Sequence, residues 1–270
     1  MAIITISRGS YSKGKEVAEK VAEHLGYDCI SRDVLLDASM HYNIPEVKLI
    51  RAIHDAPSVL DRFKHSKQNY IAYIRSELTS RAAKDNIVYH GLAGHLLLSN
   101  VPHVLRVRII ANLEDRIKAE MEREDMEEEE ARTLLDKDDR ERRKWTKYLY
   151  GVDPWDSSLY DIVINIDKLH VSDAVDFICQ AAKKESFETT DHSRRKMKDL
   201  ALACRIKAAL LDLPFDTGVT CEYGNVVLHT RASARQVSRL KKKIAEMESS
   251  LEGINNLEVH SGVSIPLDAI

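Results

Sequence analysis

Short apolar runs rich in β-branched residues recur along the first two thirds of the chain and predict buried strands. They lie at residues 2–6, 28–30, 86–89, 104–110 and 161–166. The longer segments between them carry apolar residues at helical spacing, such as Val17, Val21 and Leu25. Strands that alternate with helices predict an α/β fold, in which a five-stranded parallel sheet is covered by helices on both faces.

The pattern changes after residue 183. Residues 184–198 are polar and carry no strand signal, so they are predicted to link a unit at 1–183 to a second unit at 199–270. The second unit shows a helix at 199–211, strands at 218–222 and 226–230, a helix at 234–251 and a strand at 257–261. This order predicts a small α+β domain of the type α-β-β-α-β.

Composition narrows the class of protein. The 270 residues are 44% hydrophobic and 31% charged, which is typical of a globular chain and excludes disorder. No apolar run approaches the roughly 18 residues of a membrane-spanning helix. The net charge of -3 shows no basic excess, so nucleic acid is not an expected partner and an anionic ligand must meet a local site. Four scattered cysteines and a start without a signal-peptide pattern lead us to expect a cytoplasmic protein.

A glycine-lysine motif follows the first strand directly. Residues 8–16 read RGSYSKGKE, which contains the spacing G-x-x-x-x-G-K before an amphipathic helix. In this pattern backbone N–H groups cradle phosphate oxygens and the lysine reaches the β and γ phosphates. A purely structural glycine turn would not need the lysine. The predicted ATP-binding residues are Gly9, Ser10, Tyr11, Ser12, Lys13, Gly14, Lys15 and Glu16.

Glu16 stands where the standard motif has a serine or threonine that holds Mg²⁺. Either Mg²⁺ is held through waters and acidic groups elsewhere, or Glu16 only begins the helix, where a negative charge suits the helix dipole. The sequence leaves both interpretations open.

A second charged segment at 134–145, LLDKDDRERRKW, alternates acidic and basic residues. On a helix, Arg140 and Arg143 together with neighbouring lysines could bring several cations onto transferring phosphates, while the acidic residues orient them. The alternative is an exposed helix held by salt bridges.

With these motifs in place, residues 1–183 resemble the cytidylate kinase-like branch of the P-loop nucleoside monophosphate kinases. The resemblance rests on ITISRGSYSKGKEVAEKVAEHLGY, on KDDRERRK as the cationic lid, and on YHGLAGHLLL followed by VLRVRIIANLEDRI. In that family an acidic residue often follows the loop lysine. The resemblance implies phosphoryl transfer from ATP, with Mg²⁺, to a nucleoside monophosphate such as CMP or dCMP.

The resemblance also implies roles for individual residues. Lys15, Arg140 and Arg143 would be catalytic. Arg62 and Arg75 lie in a long helical stretch at 55–85 that would cover the acceptor. The residues expected at the acceptor are Ser31, Arg32, Asp33, Arg62, Arg75, Gly91, His95, Lys137, Glu141 and Lys144.

Two features of the turn after the third strand bear on the acceptor. Leu92 stands where the family usually has an arginine, so a nucleotide-sensing protein with a degenerate kinase fold, or a kinase of another small molecule, remains an alternative. His90 and His95 flank the turn, and two histidines at this spacing are insufficient for a metal site, so none is predicted. His95 either contacts the acceptor or is a satisfied histidine at a helix start.

The C-terminal unit resembles a BON domain, through YGNVVLHTRAS at its centre and GINNLEVHSG at its end. The resemblance implies binding of a ligand or of a phospholipid surface, with the partner unidentified. The basic stretch RQVSRLKKK at 235–243 could meet an anionic surface, or could be a solvated helix face.

Overall fold

The computed structural model describes residues 2–9, 12–31, 33–54, 66–91, 93–248 and 252–270. The strands are β1 (Ile3–Arg8), β2 (Asp28–Ile30), β3 (Ile87–Tyr89), β4 (Val104–Ala111), β5 (Ile162–Ile166), β6 (Gly218–Glu222), β7 (Asn225–Thr230) and β8 (Asn256–Ser261). The helices are α1 (Gly14–Leu25), α2 (Asp33–His41), α3 (Glu46–His54), α4 (Ser66–Ala82), α5 (Gly94–Leu97), α6 (Leu113–Glu124), α7 (Glu128–Tyr150), α8 (Val171–Ala182), α9 (Asp191–Ala209) and α10 (Ala234–Glu248).

The first five strands form one parallel sheet in the order β2-β3-β1-β4-β5, which confirms the predicted α/β fold. β1 lies at the centre, where Ile3 pairs with Ile87 on one side and Val104 on the other. β1 extends to Arg8, two residues beyond the apolar run, because Ser7 and Arg8 continue the pairing with β4. A strand paired on both edges gives the loop that follows it a fixed starting point.

Each face of this sheet carries its own hydrophobic core. On one face, Ile4 and Ile6 of β1 pack with Val17 and Val21 of α1 and with α8. On the other face, Ile3 packs with apolar residues of α2 to α5 and of α7. The nearly continuous apolar sequence of β1 follows from this arrangement, since both faces of a covered parallel sheet are buried.

α9 begins at Asp191 and not at 199, so the helix includes half of the segment predicted to be a linker. A capping box starts it: the Thr190 hydroxyl accepts from the Ser193 N–H at 3.1 Å, and the Ser193 hydroxyl accepts from the Thr190 N–H at 2.9 Å. The division of the chain at this segment stays a prediction.

α9 packs against both the parallel-sheet unit and the C-terminal unit. Met197 and Ala201 are buried in the second core of the parallel sheet. Leu202 and Ile206 are buried in a third core with Val219 of β6 and the rest of the C-terminal unit. One helix therefore supplies apolar side chains to two cores.

The C-terminal unit has the predicted order α9-β6-β7-α10-β8. β7 pairs antiparallel with β6 and parallel with β8. The last residues of the predicted helix at 234–251 lie partly outside the described residues. The resemblance to a BON domain stays a prediction. Within the described ranges, no helix combines the length and the apolarity that crossing a bilayer requires.

Asp199 holds the turn between β6 and β7. Its buried carboxylate accepts hydrogen bonds from the N–H groups of Tyr223 and Gly224, both at 2.9 Å. The Asp199→Ala substitution removes both acceptors, and we expect a loss of about 2–3 kcal/mol in the free energy of unfolding. Urea unfolding followed by circular dichroism measures this change.

Lys196→Ala is the matched control on the same helix. Its Nζ lies 3.7 Å from Glu222 in an exposed pair, so its loss should change stability by no more than about 0.5 kcal/mol. Equal stability of the Asp199→Ala variant and the native chain would contradict the assigned role.

Candidate active site

The loop after β1 is anchored to the neighbouring strand by Ser12. The fully buried Ser12 hydroxyl lies 3.1 Å from the carbonyl oxygens of both Gly9 and Ile109 and donates to this pair. The Gly9 N–H donates to the same Ile109 oxygen at 3.3 Å. The Ser12 side chain thus anchors the loop to β4, and its hydroxyl is engaged with backbone carbonyl oxygens. Ser10 and Tyr11 lie outside the described residues.

The start of α1 approaches β1 closely at Gly14. A Cβ on Gly14 would lie 2.7 Å from the Cβ of Arg8, so only glycine fits there. Lys13 precedes the helix with φ of 59° and gives it no side-chain cap. The first N–H groups of α1 therefore lack a side-chain acceptor, and an uncapped helix start is a favourable site for an anion.

Lys15 and Glu16 both lie at the exposed surface of this helix start. The Lys15 Nζ is 3.7 Å from Glu19, in a pair whose lysine side chain is 64% exposed. Such an exposed pair contributes little and can be exchanged for a phosphate. Glu16 pairs with Lys20 at 2.9 Å, which favours the interpretation that it begins the helix.

The ends of β2 and β3 meet beside this loop. The Ser31 hydroxyl donates to the carbonyl oxygen of His90 at 3.0 Å. The pKa of His90 is lowered to about 4, mainly by burial and further by the nearby cations Arg8 and Lys15, while Glu19 and Asp33 oppose the shift. Ser31, Asp33 and His90 are therefore brought together with the loop lysine. Arg32 and Leu92 lie outside the described residues.

Gly91 begins the turn after β3, directly against the side chain of Tyr89. A Cβ on Gly91 would overlap the Tyr89 hydroxyl, and a Cβ on Gly94 would lie 2.5 Å from the same ring. Burial raises the pKa of Tyr89 above its usual range. The two glycines let the turn close over the tyrosine ring, so their role in this structure is one of close packing.

His95 lies on the other side of β1, in a buried aromatic contact. Its ring centroid is 4.6 Å from that of Tyr160, and it is only 4% exposed. Among the described residues, neither ring nitrogen has a hydrogen-bond partner. Burial lowers the pKa of His95 to about 3, with a further contribution from Arg108, so the ring is neutral at pH 7. It is not the satisfied helix-start histidine of the alternative interpretation.

Arg108 connects this histidine pocket to the segment after α7. Its guanidinium donates to the Pro154 carbonyl oxygen at 2.6 Å and to the Tyr160 hydroxyl at 3.2 Å. The Tyr160 hydroxyl also donates to Pro154 at 3.0 Å. The segment after α7 is thereby fixed to the sheet near Ser7, whose hydroxyl lies 3.5 Å from that of Tyr160.

The charged segment forms the continuous helix α7. Arg143 donates to both carboxylate oxygens of Asp153, at 3.0 and 2.9 Å from its Nε, and lies 4.5 Å over the Trp155 ring. Lys147 is 3.1 Å from the same carboxylate. The hydrogen bonds from Arg143 hold the pKa of Asp153 well below its usual range. In this conformation Arg143 is paired with Asp153.

The other lid residues stay at the surface. The Arg140 Nε donates to the Asp136 carbonyl oxygen at 3.1 Å. Lys144 is 3.4 Å from Glu141 in an exposed pair, and Lys137 is exposed. In this structure Arg143 and Lys144 are engaged in surface ion pairs, and the lid role of these cations stays a prediction.

A sequence model of the cytidylate kinase-like family matches residues 3–168, which include the whole parallel sheet, the loop and α7. The chain belongs to the cytidylate kinase-like family. A cytidylate kinase of Thermoplasma acidophilum is 34% identical over 86 residues, which are 32% of this chain and 46% of the relative. A cytidylate kinase of Methanosarcina acetivorans is 35% identical over 99 residues, 35% of this chain and 52% of the relative. The chain spans about half the length of these curated relatives.

A solved structure supports the fold independently. An uncharacterised protein from Eubacterium ventriosum superposes with a TM-score of 0.53 at 24% sequence identity. The match covers 68% of this chain and 100% of the other. At this identity the likeness shows the fold that the two chains share.

The sequence analysis missed Arg116 of this cytidylate kinase-like chain. Its guanidinium carbon lies 3.8 Å from the position of a Cβ on Gly9, and its Nη2 donates to Asp139 of α7 at 2.9 Å. Arg116 therefore connects the phosphate loop to the lid helix. A basic residue one turn into the helix after β4 is the signal that could have identified it.

Arg75 and Arg62 were both predicted at the acceptor. The Arg75 Nε donates to the Leu97 carbonyl oxygen at 3.0 Å, and Arg75 lines a cavity with Tyr150 and Lys207, beside the C-terminal unit. The acceptor role of Arg75 stays a prediction. Arg62 lies outside the described residues.

The buried neutral His95 predicts a pH dependence. Its pKa falls from 6.5 in the unfolded chain to about 3 in the folded chain, so the unfolded chain binds the proton more tightly. Stability should therefore rise with pH between about 3 and 6.5, by at most about 5 kcal/mol from this residue, and be constant above. Urea unfolding at a series of pH values measures the slope.

His95→Phe should flatten this slope and keep or raise the stability at pH 7, because two unpaired buried nitrogens are removed while the contact with Tyr160 stays. His192→Asn, at an exposed position of α9, is the control and should leave the slope unchanged. An unaltered slope in His95→Phe would show that other groups cause the pH dependence.

Proposed function

We propose that the chain transfers a phosphoryl group from ATP to a nucleoside monophosphate, with CMP or dCMP as the acceptor. The observation that carries the proposal is the uncapped start of α1, with Lys15 beside Asp33 and His90 at the carboxyl end of β1. Ligands of α/β proteins bind at this edge of the sheet. The family membership and the relatives named cytidylate kinase support the same reaction.

The loop residues would bind the donor. Backbone N–H groups from Ser12 to Lys15 point toward the phosphates, and Lys15 exchanges the weak pair with Glu19 for the β and γ phosphates. The residues present fit Mg²⁺, which is held in such sites by phosphate oxygens, waters and one or two carboxylates. Asp33, whose charge acts on His90 together with that of Lys15, is the carboxylate that we assign to Mg²⁺, since Glu16 is paired with Lys20. When bound, Mg²⁺ would offset the charge of the phosphates.

The acceptor would lie on the lid side of the sheet edge, between Ser31 and His95. A neutral imidazole offers one donor and one acceptor, and His95 keeps both nitrogens without a protein partner among the described residues. This arrangement suits a polar base edge that also offers a donor and an acceptor. The acceptor phosphate is already ionised, so alignment is the main requirement and no general base is needed.

Arg143 and Arg140 would complete the site when the lid closes. Arg143 would leave Asp153 for the transferring phosphate, which is a stronger bidentate partner for a guanidinium. Closure over the phosphates would also exclude water and so limit hydrolysis of ATP.

A nucleotide-sensing role is the second candidate function. The observation that favours it is α9, since its apolar contacts with both units give a change at the kinase site a physical connection to the C-terminal unit. A kinase of another small molecule is a further alternative. Such an enzyme would bind ATP through the same residues as the proposed nucleoside monophosphate kinase and would differ from it only in the acceptor.

Release of ADP with ATP, Mg²⁺ and a panel of CMP, dCMP, UMP, AMP and GMP tests the proposal. We expect turnover with CMP or dCMP, and Lys15→Ala should lower kcat by about 100-fold or more, because it removes a cation from the transition state. Lys20→Ala, on the same helix in an exposed pair with Glu16, is the control and should retain activity. Tight ATP binding with no turnover of any acceptor would favour the sensor.

The lid arginine gives a separate prediction. Arg143→Ala should lower kcat by about 100-fold while leaving the unfolding temperature nearly unchanged, because its pair with Asp153 is at the surface. Arg132→Ala removes an arginine from the same helix, where it pairs with Glu114 and Glu128, and should leave kcat unchanged. Equal kcat values in the two variants would exclude Arg143 from the reaction.

A further inference from the structure

A cavity of about 700 Å³ lies outside the candidate active site, where the C-terminal unit meets α9. Its walls come from α4, from one face of α9, from the turn between β6 and β7, and from the segment before β8. A volume of this size falls in the range of small-molecule sites. The kinase reaction proposed above uses none of its residues.

Three cations of α9 line this cavity. Arg195, Lys198 and Arg205 follow one another at helical spacing, so they form a row on a single face. Among the described residues, neither Arg195 nor Lys198 is in an ion pair. The Arg205 Nη2 donates to the Glu252 carbonyl oxygen at 3.1 Å, and its buried Nε has no protein partner in the described ranges.

The cavity is lined by two acidic residues and three cations, so the carboxylates offset the charge of the row only in part. The Asp199 carboxylate is occupied by the N–H groups of Tyr223 and Gly224. Glu252 is exposed and contributes its backbone oxygen to Arg205. The buried Nε–H of Arg205 would donate to an anionic oxygen at little cost, since a buried guanidinium N–H without a partner is unfavourable.

Tyr223 supplies an aromatic surface at the mouth of the cavity. It is 47% exposed, and the Arg195 guanidinium lies 4.9 Å from its ring centroid. Its φ of 53° is uncommon for a residue with a side chain, and the hydrogen bonds to Asp199 and Asn255 hold it there. The turn thus presents a ring beside the row of cations.

We propose that this cavity binds a small phosphate-bearing ligand of the nucleotide class. The phosphate would contact Arg195, Lys198 and the Nε of Arg205, and a planar ring would lie against Tyr223. The concave shape favours a small molecule over a flat lipid surface. A ligand here would contact the helix that belongs to both cores, and it would bind independently of the phosphate loop.

Binding of ADP and of inorganic pyrophosphate to the full chain tests the proposal. The Lys15→Ala background weakens the phosphate loop, so that calorimetry reports the second site. We expect Arg195→Ala/Lys198→Ala to weaken binding at least about tenfold, because two charged contacts are lost. Hydrogen exchange should show that the probe protects residues 195–205 and 223–224.

Arg194→Ala/Lys196→Ala is the matched control, since it removes the same charge from the same helix outside the cavity. Tighter binding of ADP than of pyrophosphate would assign a nucleotide, and equal binding would assign the phosphate alone. Either result supports the site if binding is weakened by Arg195→Ala/Lys198→Ala and not by the control. Three outcomes would overturn the proposal. They are no binding in the Lys15→Ala background, an equal loss of binding in both double variants, and binding only to vesicles of anionic lipid.

Discussion

The hydrogen bonds along both edges of β1 are the constraint on which the rest of the structure depends. β3 and β4 pair with β1 on either side, so its carboxyl end has a fixed position in the sheet. Ser12 then fixes the loop that follows to Ile109 of β4. The position of β1 therefore determines where the start of α1, Lys15 and the ends of the neighbouring strands lie. A binding site for phosphate requires such rigidity, because backbone N–H groups act only when they are preorganised.

Electrostatic balance explains how a chain with a net charge of -3 can offer a site for anions. The basic residues near the loop and lid are paired with acidic ones, as Arg143 is with Asp153 and Arg116 with Asp139. The Arg143–Asp153 pair is partly exposed and therefore weak, whereas the Arg116–Asp139 pair is largely buried. In the proposed reaction, phosphate oxygens would replace the Asp153 carboxylate as the partner of Arg143.

The sheet and the phosphate loop could be predicted because their signals are local. The apolar runs gave the five strands within one or two residues, and the glycine-lysine spacing identified the loop. The start of α9 was missed because its capping box has Ser193 at the position where glutamate or glutamine is the familiar signal. The positions of Arg116 and Arg75 could not be predicted, since they depend on how helices pack on the sheet and not on spacing along the chain.

The two-sided burial of α9 has a consequence for how the chain can be divided. A protein cut between residues 183 and 191 would separate Met197 and Ala201 from the core under the parallel sheet and expose apolar surface there. A C-terminal fragment that kept the whole helix would carry the same two residues into water. The smallest unit that can fold alone therefore extends past residue 168, where the match to the family model ends. The end of the family match does not coincide with the end of the hydrophobic core.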